Sequence, residues 1–467
     1  MEVAERPKDP GLATSLNDFN STWTLIKEQD YHFTAASGRE EIKPDYNPYE
    51  HRQVEHPNGY LSAFLHIAKI SLGTGILAIP RAFKSAGLVV GFIGTILVGL
   101  LCTHAIHILV KASQKVCRKT RTPSLGFADT AEGVFKLGPN ALRRHSRFAK
   151  IFVEASLFSV HFLACSVYLV FISISLTELF STHFPIVNTW DIYIFKLIIL
   201  APLLICGQVR ELKHLVPFSF IANMMLLVTF ATTGYYLFSE IDKVDIRERN
   251  MVTTFSGIPS FLSTVLFSME GIGTIMPVEN SMVTPSFIGC FGVLNSAMTV
   301  IITLYTAIGF FGYYKFGEKT EATITASLPR NQIVAEVAQG AIAIAVFFSF
   351  MLVFYVPVDI VWSYIKHRIS KSRWNISQII LRCTMILTIT GIAIAGGQNL
   401  GQLIDLVGAI FLSTLGLFVP AFLDLIVDWD EGWGAYNWRL FKDLVVMAFA
   451  IFGLVSGVFC AIQGFIG

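Results

Sequence analysis

Long apolar runs separated by short polar connections dominate the chain. A helix needs ~20 predominantly apolar residues to cross the hydrocarbon of a bilayer. Eleven stretches approach that length: 60–80, 87–110, 151–180, 191–207, 215–238, 257–277, 287–314, 333–365, 377–397, 401–427 and 441–465. The runs are continuous, which excludes the ~10-residue alternating segments of a strand barrel. Many are rich in Gly, Ser and Thr, residues that let helices approach closely in lipid. The pattern predicts an all-α integral membrane fold with about eleven transmembrane helices. Residues 1–58 hold five prolines and no apolar period. They read as a largely disordered tail, which leaves 59–467 as the membrane domain.

Composition agrees with that pattern. Of 467 residues, 53% are apolar and 15% charged, whereas soluble domains run near ~25% charged. A net charge of +2 provides no basic field to recruit nucleic acid. The seven cysteines are scattered, with no CxxC and no His/Cys metal spacing, so neither a metal site nor a cofactor is expected. The catalytic spacings HExxH and GxSxG are absent, which argues against a membrane enzyme. The N-terminus lacks the basic and apolar regions of a cleaved signal peptide.

Charge asymmetry orients the spans. With eleven crossings, 24 Lys and Arg residues fall on the side of the N-terminus and eight on the other, while Lys69, Lys196 and Arg382 lie within spans. The positive-inside bias therefore predicts a cytosolic N-terminus. The sequons at Asn20 and Asn375 fall on that same side and read as chance matches.

One pattern occurs twice. The first span contains Ser71-Leu72-Gly73-Thr74-Gly75 and runs on to Pro80; the sixth contains Met269-Glu270-Gly271-Ile272-Gly273 and runs on to Pro277. Each has Gly-x-Gly mid-span and then a proline taken to end the segment. The two occupy the first positions of two five-helix halves, and glycine-interrupted helices in corresponding positions point to a transporter site. Backbone groups freed at such a break must face a cavity or a ligand. A helix N-terminus offers N–H donors to a carboxylate, and a helix C-terminus offers carbonyls to a cation. An amino acid carries both charges on one carbon, so a pair of broken helices suits it.

Two titratable residues accompany the breaks. Glu270 is mid-span, where a charge costs ~2.5–3.5 kcal/mol on insertion scales and is functional by default. His66 precedes Gly73 by about two turns, and imidazole changes charge near pH ~6.5, which suits coupling of a proton to gating. His104, His107 and His161 read as core histidines, and Glu178, Asp359, Asp405 and Asp424 as packing or gating partners.

The stretch from His66 to Pro80, Met269–Asn280, Gly312–Gly317, Cys165–Phe171, Phe218–Asn223 and Phe354–Pro357 resemble the proton-coupled amino acid transporters of the amino acid/auxin permease group. The resemblance runs from about residue 59 to the C-terminus. It implies a leucine-transporter-like arrangement of five plus five inverted repeats, and symport of small neutral amino acids with protons at the plasma or lysosomal membrane. Within it, His66 falls on the proton-coupling histidine. Gly73, Thr74 and Gly75 fall on the first-helix carboxylate-binding loop, and Glu270, Gly271 and Gly273 on the unwound part of the sixth helix; Ser71 and Met269, beside the two breaks, are expected to bind substrate with them. The chain departs from the pattern at Ser71, where many members have Asn, and in having no cysteine in its predicted outer loops. Sodium coupling on the same fold, and a sensor that signals to cytosolic partners through the tail with little flux, are the competing expectations.

Overall fold

A computed structural model describes residues 46–54, 57–71, 73–184, 186–187, 191–210, 212–239, 241–269, 271–329, 332–429 and 432–466. The sequon at Asn20, the residues of the tail before 46, and Glu270 lie outside the described residues. All regular structure among the described residues is helical.

The first span is α1 (Tyr60–Ser71), a 3₁₀ turn (Thr74–Ala78) and α2 (Ile79–Ala86), with the two halves bent by 44°. Next come α3 (Leu88–Thr120), the short α4 (Phe127–Leu137), α5 (Ser146–His183), α6 (Ile192–Cys206) and α7 (Leu212–Phe238). The sixth span is α8 (Ile258–Ser268) followed by α9 (Ile272–Asn280). After it run α10 (Val293–Phe316), α11 (Ile333–Ile365), α12 (Trp374–Ala395) and α13 (Leu400–Val407). A π-helical stretch (Gly408–Phe418) joins α13 to α14 (Val419–Val427), and α15 (Trp438–Ile466) closes the chain.

Among the described residues nine helices are long and apolar enough to span a bilayer, and the bent pair α1/α2 makes a tenth. The eleventh expected span, α6, has 15 residues, about 22 Å at ~1.5 Å per residue, and so falls short of the ~30 Å hydrocarbon. With the short α6 counted as the fourth span, spans one to five form one half and six to ten the other. Because each half makes an odd number of crossings, the second starts from the opposite face and is inverted relative to the first.

Two expectations about local structure are corrected. Neither proline ends its segment. Pro80 sits in the first turn of α2, where its missing N–H would have had no intrahelical partner, and Pro277 lies inside α9. Each span therefore runs on, to Ala86 and to Asn280. In addition, the last part of the expected disordered tail is ordered. Pro48–His51 form a 3₁₀ turn whose N-cap, Asn47, accepts from the Tyr49 N–H. Arg52 pairs with Glu279 at 2.8 Å, both side chains at most 2% exposed. The Tyr49 hydroxyl donates to the same carboxylate at 2.9 Å, and Asn58 Nδ2 donates to Ser281 Oγ at 2.8 Å. A buried carboxylate needs this many partners, and the tail supplies them, which holds the chain before α1 against the end of α9.

The halves of the broken helices divide their contacts unequally. On the face away from the N-terminal segment, α2 and α8 pack on each other, and α8 packs on α13, the π stretch and α15. On the face of the N-terminal segment, α1 packs on α10 and α9, and α9 on α1 and α3. Helix α11 packs closely on both α5 and α7, and α5 also packs on α4, α6, α12, α13 and the π stretch. From α1 toward α7 runs the bond from Lys69 Nζ to Ser219 Oγ, 2.8 Å.

Candidate functional site

The two breaks meet. Ser268 Oγ, at the end of α8, lies 2.9 Å from the carbonyl of Gly75 and 2.7 Å from that of Thr264. A Cβ added to Gly75 would sit 2.7 Å from Ser268 Cα, so glycine at this position is required by the close approach of the chains. Gly73 (φ −80°) and Gly271 (φ 178°) have backbones that other residues adopt, and a Cβ at either would meet nothing nearer than 3.4 Å.

Tyr305 of α10, fully buried, ties the ends together. Its hydroxyl bonds the carbonyls of Ser71 and of Ser268, the latter at 2.6 Å. A hydroxyl has one proton, so two carbonyls share it and both keep acceptor capacity. The C-termini of α1 and α8 thus present partial negative charge at one point. Opposite in polarity are the N-termini that follow each break, the turn at Thr74 and α9 at Ile272, whose first N–H groups have no partner within the helix. Thr274 Oγ1 closes the Gly271 carbonyl at 2.7 Å.

Between these ends and α5 lies a cavity of about 130 Å³, near the ~150 Å³ that admits a benzene-sized molecule. Ser71, Gly73, Gly75, Gly271 and Gly273 all line it, so five of the residues expected at the site come together. Thr74 belongs to the turn that follows the first break. Met269 is buried and its side chain turns away, its Cε 3.2 Å from where a Cβ on Gly99 would stand. His66 is buried in α1 and does not line the cavity.

Several contributors were not expected. His161 and Tyr168 line the cavity from α5, and Leu412 and Leu415 from the π stretch. A π-helical insertion often marks a functional site, but it leaves no pattern in the apolar run 401–427. His161 gave no signal beyond being a histidine in a span. Tyr305 gave none either, since its role depends on the carbonyl ends that it reaches.

The face away from the N-terminal segment is closed by a polar cluster. Arg81 of α2 forks onto Asp405 of α13 at 3.1 and 2.9 Å, and Ser260 and Thr264 of α8 donate to the same carboxylate at 2.7 and 2.6 Å. Asp405, expected to pair or gate, does pair. Asp424 likewise pairs with Lys442 at 3.1 Å, and Glu178 accepts from Gln339 at 3.2 Å. The cavity is thus sealed on one face, while on the other α1 and α9 keep to their own bundle.

Comparison with known proteins agrees with this geometry. Residues 56–466 match the family model described as transmembrane amino acid transporter protein. The chain is 35% identical over 420 residues to the proton-coupled amino acid transporter-like protein pathetic of Drosophila melanogaster, covering 90% of this chain and 88% of that one. It is 25% identical over 415 residues to the probable amino acid transporter skat-1 of Caenorhabditis elegans, covering 86% and 89%. The fold is similar to that of Mhp1, a nucleobase-cation-symport-1 family transporter solved in a closed conformation, with a TM-score of 0.50 at 13% identity and coverage of 91% and 94%. The chain is a multi-pass membrane protein of the transmembrane amino acid transporter family.

Proposed function

We propose that the protein is a proton-coupled symporter of small neutral amino acids. The observation that carries this reading is the cavity at the junction of two broken helices, which faces N–H ends and carbonyl ends at once. A zwitterion satisfies both, its carboxylate at Gly73, Thr74 and Gly75 and its ammonium at the carbonyls of Ser71 and Ser268. Gly271 and Gly273 give it room, and Met269 contributes through its backbone. The cavity volume favours a small side chain. His66 carries the proton in this reading, with Glu270 as a second coupling and binding group. Pathetic is named a proton-coupled amino acid transporter-like protein, which supports the choice of proton over sodium.

The N-terminus is proposed to be cytosolic, on the charge asymmetry of the loops, at the plasma or lysosomal membrane. The face sealed by Arg81 and Asp405 is then the outer or lumenal one, and the cavity is reached from the cytosol. Alternating access proceeds by rocking α1, α2, α3, α8, α9 and α10 against α5, α7 and α11.

Current and labelled-alanine uptake in oocytes, at about pH 5.5 and 7.5 with and without sodium, test the reading. Acid-stimulated, sodium-independent inward current is the expected result. Sodium dependence overturns the coupling ion, and amino acid binding without flux overturns transport in favour of a sensor.

A further inference from the structure

The imidazole of His161 has one nitrogen whose role is fixed and one that is not used. Nδ1 lies 2.8 Å from the carbonyl oxygen of Leu157 one turn earlier on α5. A carbonyl cannot donate, so Nδ1 carries the proton of this bond. In the neutral ring Nε2 is then a bare acceptor. The Cε1–Nε2 edge faces the sixth-span break: a Cβ built on Gly273 would stand 3.3 Å from Cε1 and 3.9 Å from Nε2. Among the described residues no group bonds to Nε2. Much of the surrounding wall is apolar, with Leu157, Val160, Phe267, Val353 and Leu412 among the lining side chains.

We propose that His161 is a recognition residue whose Nε2 accepts a hydrogen bond from the α-ammonium of the bound amino acid. An ammonium has three N–H donors, and in an apolar cavity each one left unpaired costs free energy. The carbonyls of Ser71 and Ser268 provide two acceptors at the same cavity, both already sharing the one proton of Tyr305. His161 Nε2 is the third. The same pairing relieves His161, whose lone pair otherwise faces an apolar wall. The bond to Leu157 makes the assignment directional, because it fixes the tautomer that leaves an acceptor, and not a donor, in the cavity. This contact is to the part shared by all α-amino acids, so it selects amino acids over simple carboxylates and not one side chain over another. The inference rests on the amino acid reading above.

The two ring nitrogens are tested separately by two amides. His161→Gln keeps an acceptor near the Nε2 position and gives up the bond to Leu157. His161→Asn keeps a donor near Nδ1 and gives up the cavity acceptor. Equilibrium binding of labelled alanine to the purified full-length protein is measured for both, with propionate, which lacks the ammonium, as competitor. The expected result is affinity within about threefold of the unmutated protein for Gln, and a loss of about tenfold or more for Asn, the size of one hydrogen bond to a charged group. Propionate should compete weakly with every form. Wild-type affinity in the Asn variant with loss in the Gln variant would overturn the proposal, since His161 would then act through Leu157 alone; equal affinities in all forms overturn it as well. A second measurement needs no variant. Diethylpyrocarbonate acylates an unprotonated imidazole nitrogen, and peptide mass spectrometry reads the modification at residue 161. Protection by alanine but not by propionate is expected, and absence of protection by alanine overturns the contact. Failure of the unmutated protein to bind any α-amino acid overturns the parent reading, whereas binding without these His161 effects overturns only the proposal.

Discussion

Four glycines line the cavity, and the space around them differs. Gly75 has the backbone of Ser268 2.7 Å from its missing Cβ, whereas Gly271 has only the Ser71 hydroxyl at 3.4 Å. Gly75→Ala is therefore expected to force the two breaks apart, at a cost of about 1–3 kcal/mol in stability together with loss of alanine binding. Gly271→Ala should melt near the unmutated temperature and lose affinity for alanine only as far as its methyl group takes room in the cavity. Thermal unfolding and labelled-alanine binding on both variants check the contrast; equal effects would mean that the glycines act through flexibility and not through space. His66→Ala belongs to the same scale. Because His66 is buried outside the cavity, its removal is expected to abolish acid stimulation of uptake while alanine binding at fixed pH persists. Uptake with an unchanged pH profile would remove His66 from the coupling.

At the scale of elements, the N-terminal segment is part of the bundle. Arg52 Nη1 also donates to the carbonyls of Glu279 and Met282, each at 2.8 Å, and Gln114 of α3 reaches the Tyr49 hydroxyl at 2.6 Å. Residues 46–54 and Asn58 thus connect α1, α3 and α9 into one body. Burial, with the Glu279 carboxylate beside it, pushes the Tyr49 phenol above its ordinary range, which keeps it neutral and donating. Breaking a buried pair by removing one partner costs about 3–5 kcal/mol, while replacing both partners with apolar residues is often neutral. Arg52→Met and Glu279→Leu should each lower the melting temperature strongly, and the double variant should recover much of the loss; additive losses would exclude a coupled pair. At the same end of α3, one residue on from Gln114, Asp428 just beyond α14 accepts from Lys115 at 2.9 Å and from Arg439 at 2.5 Å. Burial alone would raise its carboxyl, but these two cations outweigh it and hold the pKa below the ordinary carboxylate value. A lowered folded-state pKa gives stability that is present above the unfolded value and lost only as pH falls through the folded one. This cluster is therefore expected to stay charged at pH 5.5. Asp428→Asn should leave acid stimulation of uptake intact, as a pH profile of that variant will show.

At the scale of the whole molecule, packing defines a state with one face closed. The Arg81–Asp405 fork, completed by Ser260 and Thr264, ties α2 and α8 to α13. Bonds made in one state and absent from the other bias the equilibrium between them by their differential free energy. Asp405→Asn removes the charge and the symmetric fork, and is expected to shift the population toward the state open on that face. A cysteine placed at Leu157 in the cavity reports it: labelling by an impermeant maleimide applied to the Arg81 side should rise in the Asp405→Asn background. Unchanged labelling would show that the cluster is a packing element and not a gate.

The sequence by itself determined the spans, their number to within the short α6, and the positions of both breaks. Apolar runs of bilayer length and repeated Gly-x-Gly are local, periodic signals, and the doubling of the motif at positions one and six carried the inverted repeat. It also supplied five cavity residues, because the freed backbone at a break must face something polar. What the tertiary structure alone decided are contacts between parts far apart in the chain. Tyr305 caps carbonyls of residues 71 and 268, Arg52 and Tyr49 meet Glu279, and His161 faces Gly273. No local pattern encodes such pairs, since a tyrosine or histidine within an apolar span looks the same whether it faces a cavity, a neighbouring helix or lipid. The ordered turn at Pro48–His51 and the buried Arg52 were hidden for the same reason: prolines and charges look like tail until a buried carboxylate elsewhere gives them a partner.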